Sequence, residues 1–311
     1  MSCLTGRTVR VYDEVFWRRD GSRLPVEYSA SPMTEDGELC GVVLTFVDAT
    51  DRRQASEATE RDAARLRRGI RNGELVLHYQ PQIDLVTGGC RSVEALVRWQ
   101  REDRLRYPDE FISLAEQGGV IGELTDWVID TAARQVASWR DDGTDLQVAV
   151  NLSRLSLTDE HIVHTLVSAA DRHHIPVSQL QVEITESAAA ENPDMVVAVL
   201  AQLSQLGVDA AIDDFGIGYS SLSYLKHLPV TELKVDKSFV MNMPQDTRDQ
   251  AIVAATIHMA HSLGLRVVAE GVESDLIMRM LLRAGCDAGQ GYHWSHPVPA
   301  DQFNSWLTSC A

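Results

Sequence analysis

From Glu74 onward the chain alternates short apolar segments of strand character with longer amphipathic segments of helical character, and this alternation restricts the fold more than any other feature. Eight segments read as strands: ELVLHYQ, RSVEALVRW, LQVAVN, LQVEIT, DAAID, ELKVD, RVVAE and the segment around DAGQGY. Helical patterns such as TDWVIDTAARQVASWR and DMVVAVLAQLSQLG lie between them. Eight strands in about 240 residues suit the ~250 of a (β/α)8 barrel. The expected fold class is therefore α/β, a modified (β/α)8, TIM-like barrel. With 44% hydrophobic and 23% charged residues the composition is that of a folded globular chain.

The segment before the barrel has a different pattern. Residues 8–48 read as three strands, with Asp20-Gly21 and Asp36-Gly37 as hairpin turns. Residues 52–71 read as a highly charged helix with Thr50 or Asp51 at its N-cap. The stretch FWRRDGSRLPVEYSASPMTEDGELCGVVLTFVDATDRR, ending in Asp48, Ala49 and Thr50, resembles the C-terminal half of a PAS domain. The expected organisation is a partial antiparallel PAS sheet at 1–50, a connecting helix at 51–72 and the barrel at 73–311.

Charge and hydropathy exclude several classes of function. Lysine and arginine number 28 against 45 acidic residues, a net charge of −17, so no duplex nucleic acid is expected as partner. Apolar runs fall far short of the ~20 residues of a membrane helix, and the first residues lack a signal-peptide layout. No membrane segment in this chain and a cytoplasmic location are the expectations. Five cysteines (Cys3, Cys40, Cys90, Cys286, Cys310) are scattered without a C-x-x-C pair and read as reduced thiols.

Nearly every barrel strand carries a polar side chain at or near its C-terminal end, where parallel strands are otherwise apolar. Glu94 lies in the second and Asn151 ends the third. Glu183 lies in the fourth, Asp213 and Asp214 end the fifth, and Lys234 and Asp236 follow in the sixth. Glu270 is in the seventh and Gln290 near the eighth. Any one of these alone is as readily a solvated strand end, a helix cap or a turn former. Together they must converge on the C-terminal face, and carboxylates brought together repel unless cations sit among them. An all-oxygen set of carboxylates and one amide suits magnesium or manganese over zinc or copper. Six oxygen-bearing side chains suit two ions, the arrangement used for phosphodiester displacement. Hydrolysis of a phosphodiester is the leading reaction class.

These residues carry a resemblance to the EAL phosphodiesterase family. Glu94-Ala95-Leu96-Val97-Arg98-Trp99 resembles the motif for which the family is named. Tyr79-Gln80-Pro81, Asn151-Leu152-Ser153, Glu183-Ile184-Thr185-Glu186 and Asp213-Asp214-Phe215-Gly216 follow the family pattern in order. So do Lys234-Val235-Asp236, Ala269-Glu270-Gly271-Val272-Glu273 and Gln290-Gly291-Tyr292. The resemblance implies metal-dependent hydrolysis of cyclic di-GMP to linear pGpG on a barrel whose first strand is antiparallel to the others. It implies that Glu94, Asn151, Glu183, Asp213, Asp214 and Glu270 hold Mg2+ or Mn2+, two ions per site. Lys234 and Gln290 would orient the attacking water, Glu270 would be a ligand or a general base, and Gln80 and Arg98 would contact substrate. Asp236 and Glu273 would be supporting residues, and Glu186 would hold the 213–223 loop. That loop and the following Leu222-Ser223-Tyr224-Leu225 match the family's dimer-linked region, which implies a homodimer.

Two positions depart from the family. Ile217 stands where threonine or alanine is frequent, and Ser113 where proline is common; neither is a ligand. A degenerate EAL domain that binds cyclic di-GMP, or a partner protein, without cutting it is the alternative, and such a domain would be expected to lack ligands or the lysine. There is no GGDEF-like segment for a cyclase. The histidine pairs His173-His174, His258 with His261 and His293 with His296 read as surface or core residues, having no cysteine or carboxylate at matching spacing.

Overall fold

The structure is a computed structural model that describes residues 7–36, 38–102, 104–157, 161–217 and 225–310. It divides into two compact units, Met1–Arg65 and Leu66–Ala311. In the first, β1 (Val9–Trp17), β2 (Arg23–Glu35) and β3 (Glu38–Asp48) form an antiparallel sheet in that order. Asp20 Oδ1 accepts from Ser22 N at 2.9 Å, and Gly21 adopts φ +81°, as the first hairpin turn requires. Gly37 of the second turn, like Cys3, lies outside the described residues. Leu39, Val42, Val43, Leu44, Phe46 and Val47 leave β3 exposed along most of its length.

Helix α1 (Thr50–Arg71) spans the division between the units. Its start differs from the expected cap. Thr50 is already helical, and Asp48 Oδ1 accepts its N–H at 2.9 Å, so the capping oxygen comes from two residues earlier than the helix start.

The second unit is the barrel. Its strands are β4 (Leu75–Asp84), β5 (Cys90–Arg101), β7 (Gln147–Leu152), β8 (Leu180–Thr185), β9 (Asp209–Phe215), β10 (Glu232–Val235), β11 (Arg266–Ala269) and β12 (Ala288–Gln290). Each pairs with the next in parallel from β5 through β7 to β12. β4 closes the ring, antiparallel to both β5 and β12. Short strands β6 (Arg104–Arg106) and β13 (Val298–Pro299) extend β5 and β4. The eight strand-like segments of the sequence are the eight strands of the closed ring.

The strands depart from the expected continuous apolar run. They alternate, and the polar residues face the barrel axis. In β8, Leu180, Val182 and Ile184 are wholly buried, while Gln181 and Glu183 turn to the interior. In β10, Glu232 and Lys234 alternate with Leu233 and Val235, and all four are buried. The apolar layer lies outside the ring, under the helices: Ile129, Ala132, Ala133 and Val136 of helix Ile121–Asp141 are buried there. Trp139 stands 5.0 Å from Tyr79 and 5.3 Å from Phe303, ring centre to ring centre. Each such large apolar side chain contributes about 1.5–3 kcal/mol by leaving water, which offsets the cost of a polar interior.

Candidate active site

Lys234 occupies the middle of the interior with no exposed surface. Its Nζ lies 2.7 Å from Glu183 Oε2, 2.7 Å from Glu270 Oε1, 3.3 Å from Asp213 Oδ1 and 3.4 Å from Glu94 Oε2. Alternation along β10 aims it inward, toward carboxylates from β5, β8 and β9 and from Glu270, the residue after β11. Burial alone would lower its pKa, but Asp213, Glu183, Glu270 and Glu94 together hold it well above the ordinary lysine value.

One ammonium does not balance four carboxylates. Burial, reinforced by Glu94 and Asp213, drives the Glu183 pKa well up despite Lys234. Burial likewise pushes Glu270 to about 8, with Lys234 opposing and Asp213 and Glu94 reinforcing. Glu94 goes the other way. Burial opposes its ionisation, yet Lys234 and the donors Gln290 and Asn151 lower its pKa. The excess of negative charge is what a bound divalent cation neutralises.

The amides fix the carboxylates. Asn151 Nδ2 donates to Glu94 Oε1 at 2.6 Å, and Gln290 Nε2 donates to Glu94 Oε2 at 2.5 Å and to Gln80 Oε1 at 3.0 Å. Gln80 in turn donates to Ser295 O at 3.1 Å. Gln82 was not singled out in the sequence, although it follows Gln80 by two residues and so shares its face. Its Nε2 donates to Gln290 Oε1 at 3.1 Å, and its Oε1 accepts from Ser92 Oγ at 2.7 Å. This network restricts the rotamers of the groups it holds.

Oxygens of Asp213, Asp214 and Glu270 all lie within 4.8 Å of one another, the spacing of a cluster able to share a cation. Asp214 adopts φ +55°, a left-handed turn, and its pKa is raised by burial, then by Asp213 and Asp236. Glu186 is buried, and its Oε2 accepts from Gly216 N at 3.0 Å, which ties down the start of the following loop. Residues 218–224 lie outside the described residues, and with them most of the dimer segment expected from the sequence. Asp236 caps the short helix Lys237–Asn242, accepting from Ser238 N at 2.8 Å.

A cavity of about 510 Å³ opens beside this centre, with Gln80, Glu94, Arg98, Asp213, Glu270 and Gln290 in its walls. Glu273, Lys237 and Tyr292 also line it. A second cavity of about 630 Å³ shares Glu94 and Leu96 and is otherwise bordered by apolar and polar side chains alike, with Asn151 and Ser113 among its walls. Arg98 is buried, stacked over Tyr107 at 4.9 Å, and its Nε has no hydrogen-bond partner. Ile217 is 62% exposed. Of the histidines, His173 Nε2 meets Asp130 at 3.0 Å and His261 Nε2 meets Asp287 at 2.8 Å, while His296 stacks on Tyr292, a wall of the first cavity, at 3.8 Å between ring centres.

Fold and site together define a closed (β/α)8-type barrel with an all-oxygen acidic centre around a buried lysine. The chain belongs to the EAL domain family, which matches residues 63–297. The bifunctional diguanylate cyclase/cyclic di-GMP phosphodiesterase MucR of Pseudomonas aeruginosa is 43% identical over 240 residues, which cover 76% of this chain and 35% of that protein. The cyclic di-GMP phosphodiesterase PdeR of Escherichia coli is 43% identical over 242 residues, which cover 78% of this chain and 36% of that protein. A solved structure of PaMucR phosphodiesterase in complex with c-di-GMP superimposes with a TM-score of 0.74 at 42% identity, covering 76% of this chain and 97% of that one. The matched part thus spans about a third of the length of these curated relatives. Among the described residues, no helix is long and apolar enough to cross a membrane.

Proposed function

We propose that the barrel hydrolyses cyclic di-GMP to linear pGpG and so lowers a bacterial second messenger. The carrying observation is that no member of the constellation is missing: Glu94, Asn151, Glu183, Asp213 and Glu270 converge with Gln290 around Lys234. Glu94, Asn151, Glu183, Asp213, Asp214 and Glu270 would hold magnesium or manganese, two ions per site, and bound ions would supply charge neutralisation at the reacting phosphate. Gln290 and Lys234 orient the attacking water, and Lys234 adds fixed positive charge beside the phosphate. The water oxygen forms a bond to phosphorus as the bond to the 3′ oxygen breaks. The water's proton passes to solvent, or to Glu270 where that carboxylate serves as general base in place of ligand, and the leaving 3′ oxygen takes a proton from solvent water. Gln80 and the Arg98 guanidinium contact the substrate, Asp236 and Glu273 support the site, and Glu186 steadies the 213–223 loop.

The rest of the molecule fits the same reading. Residues 1–50 are the C-terminal part of a PAS sensor domain, 51–72 a connecting helix and 73–311 the EAL barrel. The support for the first is the three-stranded antiparallel sheet and its D-A-T ending. The barrel works as a homodimer in the cytoplasm, with the 213–223 loop linking metal site and dimer contact.

The test is purified protein with cyclic di-GMP in manganese, magnesium or calcium, with products separated by chromatography. Manganese and magnesium yield pGpG. Calcium, with its longer coordination at ~2.3–2.6 Å, supports binding and suppresses turnover. Binding in all three ions with product in none would replace this reading with that of a receptor.

A further inference from the structure

A cyclic dinucleotide carries two phosphates, and only one can react at a time. On the reading above, the reacting phosphate would lie beside Lys234 and the cations that the carboxylates would hold. The other would remain in the same cavity, where Glu273, outside the proposed ligand set, repels an uncompensated anion. Among the described residues two cationic side chains line that cavity, Arg98 and Lys237. Arg98 is the buried, fixed cation of the two: its Nη1 donates to Val97 O at 2.9 Å, its plane lies over Tyr107, and its Nε, without a partner, is left for the substrate contact proposed above. Lys237 is exposed and, among the described residues, makes no ion pair.

The position of Lys237 is set by its backbone. It follows Asp236, whose carboxylate holds the first turn, and it packs against the loop after Glu270. Gly271 in that loop has φ +69°, and a Cβ there would lie 2.6 Å from Lys237 Cβ and 3.1 Å from its Cα. Glycine at 271 therefore lets the root of the lysine approach the site, while its four-carbon stem leaves the ammonium free to move. Lys237 shares the walls of the cavity with Asp213 and Glu270, so its ammonium stands beside the acidic centre.

From this geometry we infer that Lys237 is a substrate-binding residue whose ammonium takes the phosphate that is not being cut. The inference rests on the phosphodiesterase reading above. A role confined to offsetting the acidic centre would make Lys237 indifferent to the charge of the second phosphate, and that difference can be measured.

Equilibrium binding in calcium is compared for native protein, Lys237→Gln and Lys237→Arg. The probes are cyclic di-GMP and an analogue in which one phosphodiester is replaced by an uncharged methylphosphonate linkage. Lys237→Gln weakens cyclic di-GMP binding by about tenfold, the low end for a hydrogen bond to a charged group, and KM in manganese rises in parallel. The same substitution weakens binding of the analogue by less than about twofold, and Lys237→Arg restores most of the loss for cyclic di-GMP. Equal weakening of both probes, or of neither, in a protein that still cleaves cyclic di-GMP overturns the inference alone. Native protein that neither binds nor cleaves cyclic di-GMP overturns the phosphodiesterase reading and this inference with it.

Discussion

Replacing Gly291 by alanine tests how tightly the site is built into the barrel. Gly291 follows Gln290 at the end of β12, and a Cβ on it would lie 2.2 Å from Val272 O, 2.3 Å from Val272 N and 2.7 Å from Val272 C. All three are backbone atoms, so no side-chain rotation relieves the overlap. Ordinary contact needs the two segments to part by roughly 1 Å. They are joined by Val272 N→Gln290 O at 3.0 Å and His293 N→Val272 O at 2.9 Å, and parting strains both bonds. Two backbone bonds at about 1 kcal/mol each, with about 1–3 kcal/mol for overpacking, give an expected loss of ~3–5 kcal/mol. Because Gln290 adjoins the displaced residue, a shift on the order of 1 Å in its amide lowers turnover by roughly a hundredfold. Urea unfolding followed by circular dichroism reads the first quantity, and product formation in manganese reads the second. A variant within about 1 kcal/mol of native stability and with near-native turnover would show that the loop absorbs the methyl group without moving Gln290.

Three other substitutions probe separate parts of the design. Glu94→Gln replaces one of two accepting oxygens by an NH2, set against Asn151 Nδ2 at one position or against Gln290 Nε2 and Lys234 Nζ at the other, so turnover falls by at least about a hundredfold while the circular dichroism spectrum is kept; near-normal turnover would make this glutamate structural. Glu186→Ala removes the acceptor of Gly216 N–H and loosens the end of β9, which carries Asp214, so manganese affinity, titrated by calorimetry, falls by about tenfold or more; an unchanged affinity would detach Glu186 from the site. Glu232→Gln concerns pH. Burial raises the folded pKa of Glu232, so its contribution to stability is full below the unfolded carboxyl value of about 4.3 and is lost as pH rises through the higher folded value. The native-minus-variant stability difference, from urea curves at stepped pH, should therefore fall across that window; a flat difference would count against a raised pKa.

The strand and helix alternation made the barrel legible, because eight short apolar segments separated by amphipathic helices have few other solutions. The strand-end residues were legible for a related reason: a carboxylate such as Glu183 at the end of an otherwise apolar segment must answer to something other than packing. The interior was less legible. Parallel strands were expected to be apolar throughout, and that expectation concealed Gln82, Gln181 and Glu232, although L-Q-V-E-I-T and E-L-K-V alternate openly. The antiparallel β4 was implied by family resemblance alone, since nothing in ELVLHYQ marks its direction. At Thr50 the competition was among neighbouring oxygens, and Asp48 won by geometry that composition does not encode. Lys237 escaped notice because the strand motif ends at Asp236, whereas its place at the cavity depends on the close approach of Gly271.

The alternating polar interior also bears on how such chains diverge. In an apolar core one methyl group can be exchanged for another, site by site. Here Gln82, Gln290, Glu94 and Lys234 each satisfy two or more neighbours, so a lone replacement strands partners deep in the ring, at a cost of about 1–3 kcal/mol for each stranded group. A descendant that loses a ligand or the lysine must therefore change the partners of that residue with it, because the barrel interior cannot hold a stranded charge. Loss of turnover would then be written in groups of interior residues that change together, where an apolar core would record it one position at a time.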